Sequence, residues 1–348
     1  MNARPDPEVR DVSLHSTPET VSWGWIAADR PPVARVRSGQ RLRIDTVTHQ
    51  GLNTDKDPVA FFGAAGIAPG EVLPDAAEIY RKVKRGDGAG PHILTGPVYV
   101  EGAQPGDLLE VRVLDVAIRV PYGVNSTGPG WGAVPDLLTK AEQKIIKLDL
   151  QRGVALFSKD VEVPLAPFMG IVAVAPPPEL KRVSTKPPGA FGGNLDFKHL
   201  VAGSTLYLPV FNAGALFYTG DGHACQGDGE VDGTAIEISL TPTVQLIVHK
   251  GAGRDMSWPR AEDTANYYSM GMGANLDDAL KNAIREAVSF LQGKGLSAAE
   301  AYALCSLAVD FRIGEAVNNV LMVYGVIPKR LFRRKTKYWA AETARGEG

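Results

Sequence analysis

The sequence predicts a β-rich α+β protein, and three observations carry that reading. Up to about Val248, apolar and polar residues alternate in short runs with the period of two expected of half-buried strands. Beyond about Ala274, apolar positions recur at helical spacing instead. The 38 glycines and 25 prolines are scattered between apolar runs, which marks many tight turns and argues against disorder. At 348 residues and 44% hydrophobic composition, the chain can bury one large core or two moderate ones.

The alternating runs are Arg41–Thr48, Pro97–Gly102, Asp107–Val120, Thr205–Phe211 and Ala235–Gly251. In the third, Leu109, Val111 and Val113 fall on one face and Glu110 and Arg112 on the other. Gly102–Asp107, reading GAQPGD, has the chemistry of a turn between two strands. The stretch Gly51–Gly96 reads as a long irregular loop, of a length expected of a functional lid or a surface insertion. Its RGD triplet, Arg85–Asp87, reads as a turn.

Near the C-terminus, Leu276, Ala279, Leu280, Ala283, Ile284, Ala287, Val288 and Leu291 form a helical stripe. Asn275 is placed to cap it, Asp277 and Asp278 suit its first turn, and Gly293 lies beyond its end. Ser297 and Glu300 read as a capping box opening a second helix through about Val309. Both helices are expected to cover a sheet. The chain thus divides into a mainly β part over 1–190 with the long loop, a β core over 191–250, and a mixed α/β part over 251–348.

Net charge is −2, so no global pull toward nucleic acid is expected, and a small neutral substrate is compatible. The basic run Lys329–Trp339 reads as a solvated or subunit-facing segment. No span approaches the roughly 20 apolar residues of a membrane helix, and the first residues lack the pattern of a secretory signal. Two cysteines, Cys225 and Cys305, allow at most one disulfide. A soluble cytoplasmic protein is the expectation, with a homodimer as the default assembly.

The segment Gly192–Glu237 gathers the donors. Its core, GDGHACQGDGE, places Asp221, His223, Asp228 and Glu230 within ten positions, with Asp196 and His199 upstream. Oxygen and nitrogen donors of this kind suit a hard or borderline divalent ion. Against this stands the frequency of Asp-Gly as a hairpin turn, since the pair occurs at Asp87, Asp221, Asp228 and Asp232. His92 and His199 also read as histidines hydrogen-bonded at strand ends, and Glu237 as an exposed strand residue. Cys225 invites a nucleophile reading through its neighbour His223, whereas Cys305 falls on an apolar helix stripe.

The motifs PHILTGPVYVEGAQPGDLLEVRV (Pro91–Val113), PPGAFGGNLDFKHLVAGSTLYLPV (Pro187–Val210) and GALFYTGDGHACQGDGEVDGTAIE (Gly214–Glu237), followed by Asn275–Ala283 and Leu296–Ile313, resemble the acetamidase/formamidase family. The resemblance implies hydrolysis of a short linear amide such as formamide or acetamide to carboxylate and ammonia. It also implies a fold with jelly-roll-like and barrel-like β parts and a small α/β part. Metal dependence comes with it, the ion being zinc or calcium, with Asp196, Asp221 and His223 as ligands and Glu230 and His223 as catalytic groups. The family's usual residue at position 225 is alanine, which weighs against a cysteine nucleophile. His92 and Glu101 form a second group that contacts substrate or supports the ligands, and His49 and Asp55 reach the pocket from the long loop. That loop departs from short-chain amidases and leaves a larger or cyclic amide open, while the same carboxylates in a closed site would make a metal-stabilised binding module.

Overall fold

The computed structural model describes residues 11–53 and 57–333. Asp55 and the end of the basic C-terminal run lie outside the described residues. Two large sheets dominate.

The first has nine strands, in the spatial order Val12–Leu14, Arg41–Ile44, Leu240–His249, Leu108–Ile118, Thr205–Pro209, Arg260–Glu262, Asn266–Gly273, Leu321–Pro328 and Asp310–Glu315. The second has twelve, and its path runs from Val161–Pro164 through Val154–Ser158, Glu142–Asp149, Tyr122–Thr127, Glu237–Ile238, Phe217–His223 and Phe168–Ala173 to Gly192–Asn194 and Pro188–Gly189. Strand Ile93–Val100 joins it by pairing with Phe217–His223, and Val21–Trp23 and Ala34–Val36 pair with Ile93–Val100 in turn. The nine-stranded sheet takes strands from all three sequence regions, and one large apolar cluster runs from Leu14 to Val326.

The expected strand runs are present, Pro97–Gly102 as the second half of the longer strand Ile93–Val100 and the others shortened. Arg41–Thr48 leaves the sheet after Ile44, and Ala235–Gly251 is broken into Glu237–Ile238 and Leu240–His249. Glu110 is fully buried despite its place on the polar face of its strand. His249 Nε2 lies 2.8 Å from its Oε2 and Arg112 donates to its Oε1 at 2.6 Å, so the burial is compensated by charged partners.

The stretch 51–96 is not an irregular loop. It contains helix α1 (Pro58–Gly63) and helix α2 (Pro74–Lys82). Asp57 caps α1 by accepting from Ala60 N at 2.9 Å, and both helices start with proline at the first helical turn, where its missing N–H costs nothing. Phe61, Phe62, Ala76 and Ile79 are buried beneath this segment. Arg119 Nη1 donates to Asp75 Oδ2 at 2.9 Å, the Ser16 hydroxyl donates to the same oxygen, and Tyr122 donates to Glu71 O at 3.1 Å. These bonds pin it as a wall.

Helix α3 (Leu276–Gly293) and helix α4 (Ala298–Ala308) form where expected. Asn275 Oδ1 accepts from Asp278 N at 2.9 Å, and Ser297 and Glu300 satisfy each other's backbone N–H groups in a full capping box. Gly293 is the last helical residue, with Lys294 after it at the cap. Helix α3 packs closely on Asn266–Gly273, because a Cβ on Gly271 would lie 2.0 Å from Ala283 N.

Candidate metal and catalytic centre

Strand Phe217–His223 changes partner along one of its edges. Gly220 pairs with Leu94 of Ile93–Val100, whereas Gly222 pairs with Ile238 of Glu237–Ile238. Asp221 sits at the switch with φ 58°, a left-handed conformation that side chains other than Gly and Asn adopt at a cost of about 1–3 kcal/mol. The two parting neighbours bring His92 and Glu237 to the same point, and alternation along the strand brings His223 to the side of Asp221.

His223 Nε2 lies 3.2 Å from Glu237 Oε1, 3.5 Å from Asp221 Oδ2 and 3.9 Å from Glu230 Oε1. His92 Nε2 and His49 Nδ1 each lie 3.7 Å from an Asp221 oxygen, and His49 Nδ1 is 4.0 Å from Glu237 Oε2. Asp196, Glu230 and Glu315 also bring carboxylate oxygens within 4.8 Å of one another, and Asp196 reaches Asp221 and His223 as well. Every one of these eight side chains is buried.

Glycine makes the room. Gly170 carries no side chain where a Cβ would meet Asp196 Oδ1 at 2.5 Å, Asp221 Oδ2 at 2.8 Å and His223 Cε1 at 2.9 Å. Asp196 and Glu230, like Asp221, adopt left-handed backbone, with φ 43° and 46°. Asp196 shares one donor group with Asp221 and another with Glu230, so the three left-handed acids belong to one connected cluster that the surrounding structure over-determines.

Each imidazole is turned by a partner on its far side. His223 Nδ1 lies 2.9 Å from Gln226 Oε1, whose amide donates to Asp196 O at 2.7 Å. His92 Nδ1 lies 3.1 Å from Thr185 Oγ1, and His49 Nε2 lies 3.2 Å from Gln50 Nε2. Supports of this kind orient metal-ligating histidines.

Burial pushes the Asp196 carboxyl well above the carboxylate range, with Glu230 and Glu315 adding to it. Burial does the same to Glu230 against the opposing pull of His223, with Glu237 and Glu315 adding to the rise, and it takes Glu237 up to about 7. For Asp221, burial is overcome by His92 and His223, and the carboxyl is held well below its ordinary value. His223 is disfavoured as a cation by burial, yet Glu237 and Asp221 hold its pKa well above the usual imidazole value. His49 goes the other way: burial and then the nearby His92 lower it to about 3.

The donor set fits a divalent cation. Both Oδ atoms of Asp196, Oδ1 of Asp221, Nε2 of His223, Nδ1 of His49 and Oε2 of Glu237 and Glu315 are buried without hydrogen-bond partners. Such orphaned atoms crowded into one connected cluster are costly unless something shared satisfies them. The described residues therefore contain buried His/Asp/Glu groups that could hold a metal ion.

Of the residues expected from sequence, Asp196, Asp221, His223 and Glu230 come together, with His92 and His49 beside them. Glu101 does not join them. It lies in the exposed turn after Ile93–Val100, at the far end of that strand from His92, and nine extended residues at about 3.3 Å each span about 30 Å. His199 instead stacks on Tyr268 with ring centroids 4.9 Å apart, and Asp228 pairs with Lys198 at 3.0 Å. Glu237 is a correction, for it is 2% exposed and faces His223. Glu315, fully buried, is the member sequence reading missed. Its strand pairs with Gly229 only through an isolated bridge across the fold, and no local pattern marks it.

Comparison with known proteins adds the family. The model of the acetamidase/formamidase family matches residues 75–186 and 180–334. The chain belongs to the acetamidase/formamidase family. It is 28% identical over 199 residues to an acetamidase of Mycolicibacterium smegmatis, covering 40% of this chain and 49% of that protein. Against a formamidase of Methylophilus methylotrophus it is 27% identical over 257 residues, 58% of each. The chain thus spans about half the length of the curated relatives it matches. The crystal structure of an acetamidase from Bacillus halodurans superposes with a TM-score of 0.77 at 27% identity, over 94% of this chain and 100% of that one. In this family member Cys225 is buried and its thiol is pushed up by that burial, the opposite of what a thiolate nucleophile needs.

Proposed function

We propose that this protein hydrolyses short linear amides such as formamide or acetamide to carboxylate and ammonia, with a divalent cation, zinc or calcium, held in the buried cluster. The observation that carries the reading is the convergence of orphaned carboxylate and imidazole atoms on the space beside Gly170. Family membership supports the reaction. The two large sheets are taken as its jelly-roll-like and barrel-like parts.

Amide hydrolysis needs an activated water, stabilisation of charge on the carbonyl oxygen, and a proton for the leaving nitrogen. A bound cation supplies the first two. Asp196, Asp221 and His223 are its ligands, with His92, Glu237 and Glu315 close enough to complete or support the set. Glu230 Oε1 stands 3.9 Å from His223 Nε2 inside the buried cluster, a place from which a carboxylate takes a proton from water and returns it to nitrogen. His223 bridges the two roles, since its Nε2 faces both Asp221 and Glu230.

The test is elemental analysis of the purified protein coupled to ammonia release across amides from formamide to bulky ones. Asp221→Ala and His223→Ala lose metal and turnover together, whereas Glu230→Gln keeps the metal and loses turnover. Ammonia release retained in all three variants overturns the assignment. Metal without turnover on any amide identifies a structural ion in a binding module instead. The same reading takes the protein as a cytoplasmic homodimer, which sedimentation velocity and cell fractionation check.

Among the described residues no helix is long and apolar enough to cross a membrane.

A further inference from the structure

A small cavity of about 10 Å³ lies between the segment of helices α1 and α2, residues 58–82, and the sheet edge that carries Glu237. That volume is about the room one water occupies. Phe62, Val72 and Ala76 close it from the segment, Val120 and Val124 from below, and Glu237 stands at its boundary. Glu237 Oε1 is 3.2 Å from His223 Nε2, so the cavity adjoins the donor cluster. Of its other polar neighbours, Ser239 accepts from Thr48 N at 3.0 Å, Thr48 accepts from Gln50 N at 3.2 Å and Tyr122 donates to Glu71 O at 3.1 Å.

We propose that this cavity seats the acyl substituent of the amide, and that Phe62, Val72 and Ala76 set the largest group it admits. The inference rests on the amide-hydrolase reading above and adds where the acyl group goes. An apolar void forfeits packing and is retained only where its walls cannot close. Here they cannot, because Asp75 is tied to Arg119 at 2.9 Å and Glu71 to Tyr122 at 3.1 Å, and the Phe62 ring packs against Tyr122 with centroids 4.9 Å apart. The walls offer a hydrogen atom or a methyl group a fitting space, and most of their lining is apolar. A propionyl or butyryl chain has to displace Phe62 or the α2 turn at Ala76.

The experiment compares kcat/KM for formamide, acetamide, propionamide and butyramide in the wild type, Phe62→Leu, Val72→Ala and Ala76→Val. A methylene in an apolar pocket is worth about tenfold or more in discrimination. Phe62→Leu and Val72→Ala raise the butyramide-to-acetamide ratio by about that factor, and Ala76→Val lowers acetamide relative to formamide by the same order. In parallel, acetate competes with substrate in the unmodified protein and butyrate does not, a reading independent of how the variants fold. Ratios unchanged in folded variants, or equal inhibition by acetate and butyrate, overturn the acyl site while ammonia release by the wild type keeps the hydrolase reading. Absence of ammonia from every amide sinks the hydrolase reading, and the acyl site with it.

Discussion

Tyr324 donates its hydroxyl proton to Asp228 Oδ1 at 2.7 Å, and through that bond the strand Leu321–Pro328 grips the loop that carries Glu230. The same hydroxyl lies 3.2 Å from His199 Nε2, and Lys198 Nζ lies 3.0 Å from Asp228 Oδ2. Residues just after Asp196 are thus clamped to a residue just before Glu230, and both of those acids have left-handed backbones. The clamp holds two strained carboxylates at a fixed separation.

Tyr324→Phe therefore lowers kcat on acetamide by about tenfold with little change in KM, because Glu230 is displaced from the proton-transfer position proposed for it while the proposed acyl pocket is untouched. The lost hydrogen bond costs about 1 kcal/mol of stability. Steady-state kinetics and calorimetry on the same preparation separate the two effects. An unchanged kcat refutes the positioning role.

Gly170→Ala is expected to lose bound metal and activity while the protein still folds. The added methyl lies 2.5–2.9 Å from Asp196, Asp221 and His223, and those side chains have to swing away to accommodate it. Metal-to-protein ratios near the wild-type value contradict this.

Asn275→Ala and Ser297→Ala each destabilise the protein by about 1 kcal/mol and leave kcat unchanged. Both caps lie at the starts of helices that contribute no member to the donor cluster. Denaturant melts paired with kinetics check the separation.

Acid sensitivity is expected to involve Glu110. Burial pushes its carboxyl up, but the bonds from His249 and Arg112 outweigh burial and hold it below its ordinary value. A carboxyl depressed in the folded state contributes stability above its unfolded pKa of about 4.3, and that contribution is lost as pH falls through the folded value. Glu110→Gln lowers Tm at neutral pH and flattens the fall in Tm on acidification. An acid limb as steep as that of the wild type refutes the assignment.

Dialysis against a chelator lowers Tm as well as abolishing turnover, because a cation that binds only the folded state stabilises it by mass action. Calorimetry before and after readdition of zinc or of calcium reads which ion restores the transition. A Tm indifferent to chelation is the contrary result.

Local signals in the sequence located the structure well. The caps at Asn275 and Ser297 were legible because a cap is decided within four residues, and Asp196, Asp221, His223 and Glu230 were legible through their motifs. Helices α1 and α2 were missed, being six and nine residues long, too short to show a period, although Asp57-Pro58 and Leu73-Pro74 carry the proline start signal. Glu237 read as exposed because strand alternation does not reveal which face a neighbouring strand covers. Its burial follows from lying opposite His223 in the sheet. Glu315 had no signal, because its place is set by pairing with Gly229, 86 positions earlier.

The order of the nine-stranded sheet has a consequence for how the protein is made. Arg41–Ile44 lies between Val12–Leu14 and Leu240–His249, and the donor cluster includes Glu315 from that sheet's last strand. A nascent chain emerging from the ribosome cannot close this sheet until most of it has been synthesised, and such distant pairings are slow to form. Until then the acids of the cluster are not brought together, so the cation proposed for it would be captured only at the end of folding.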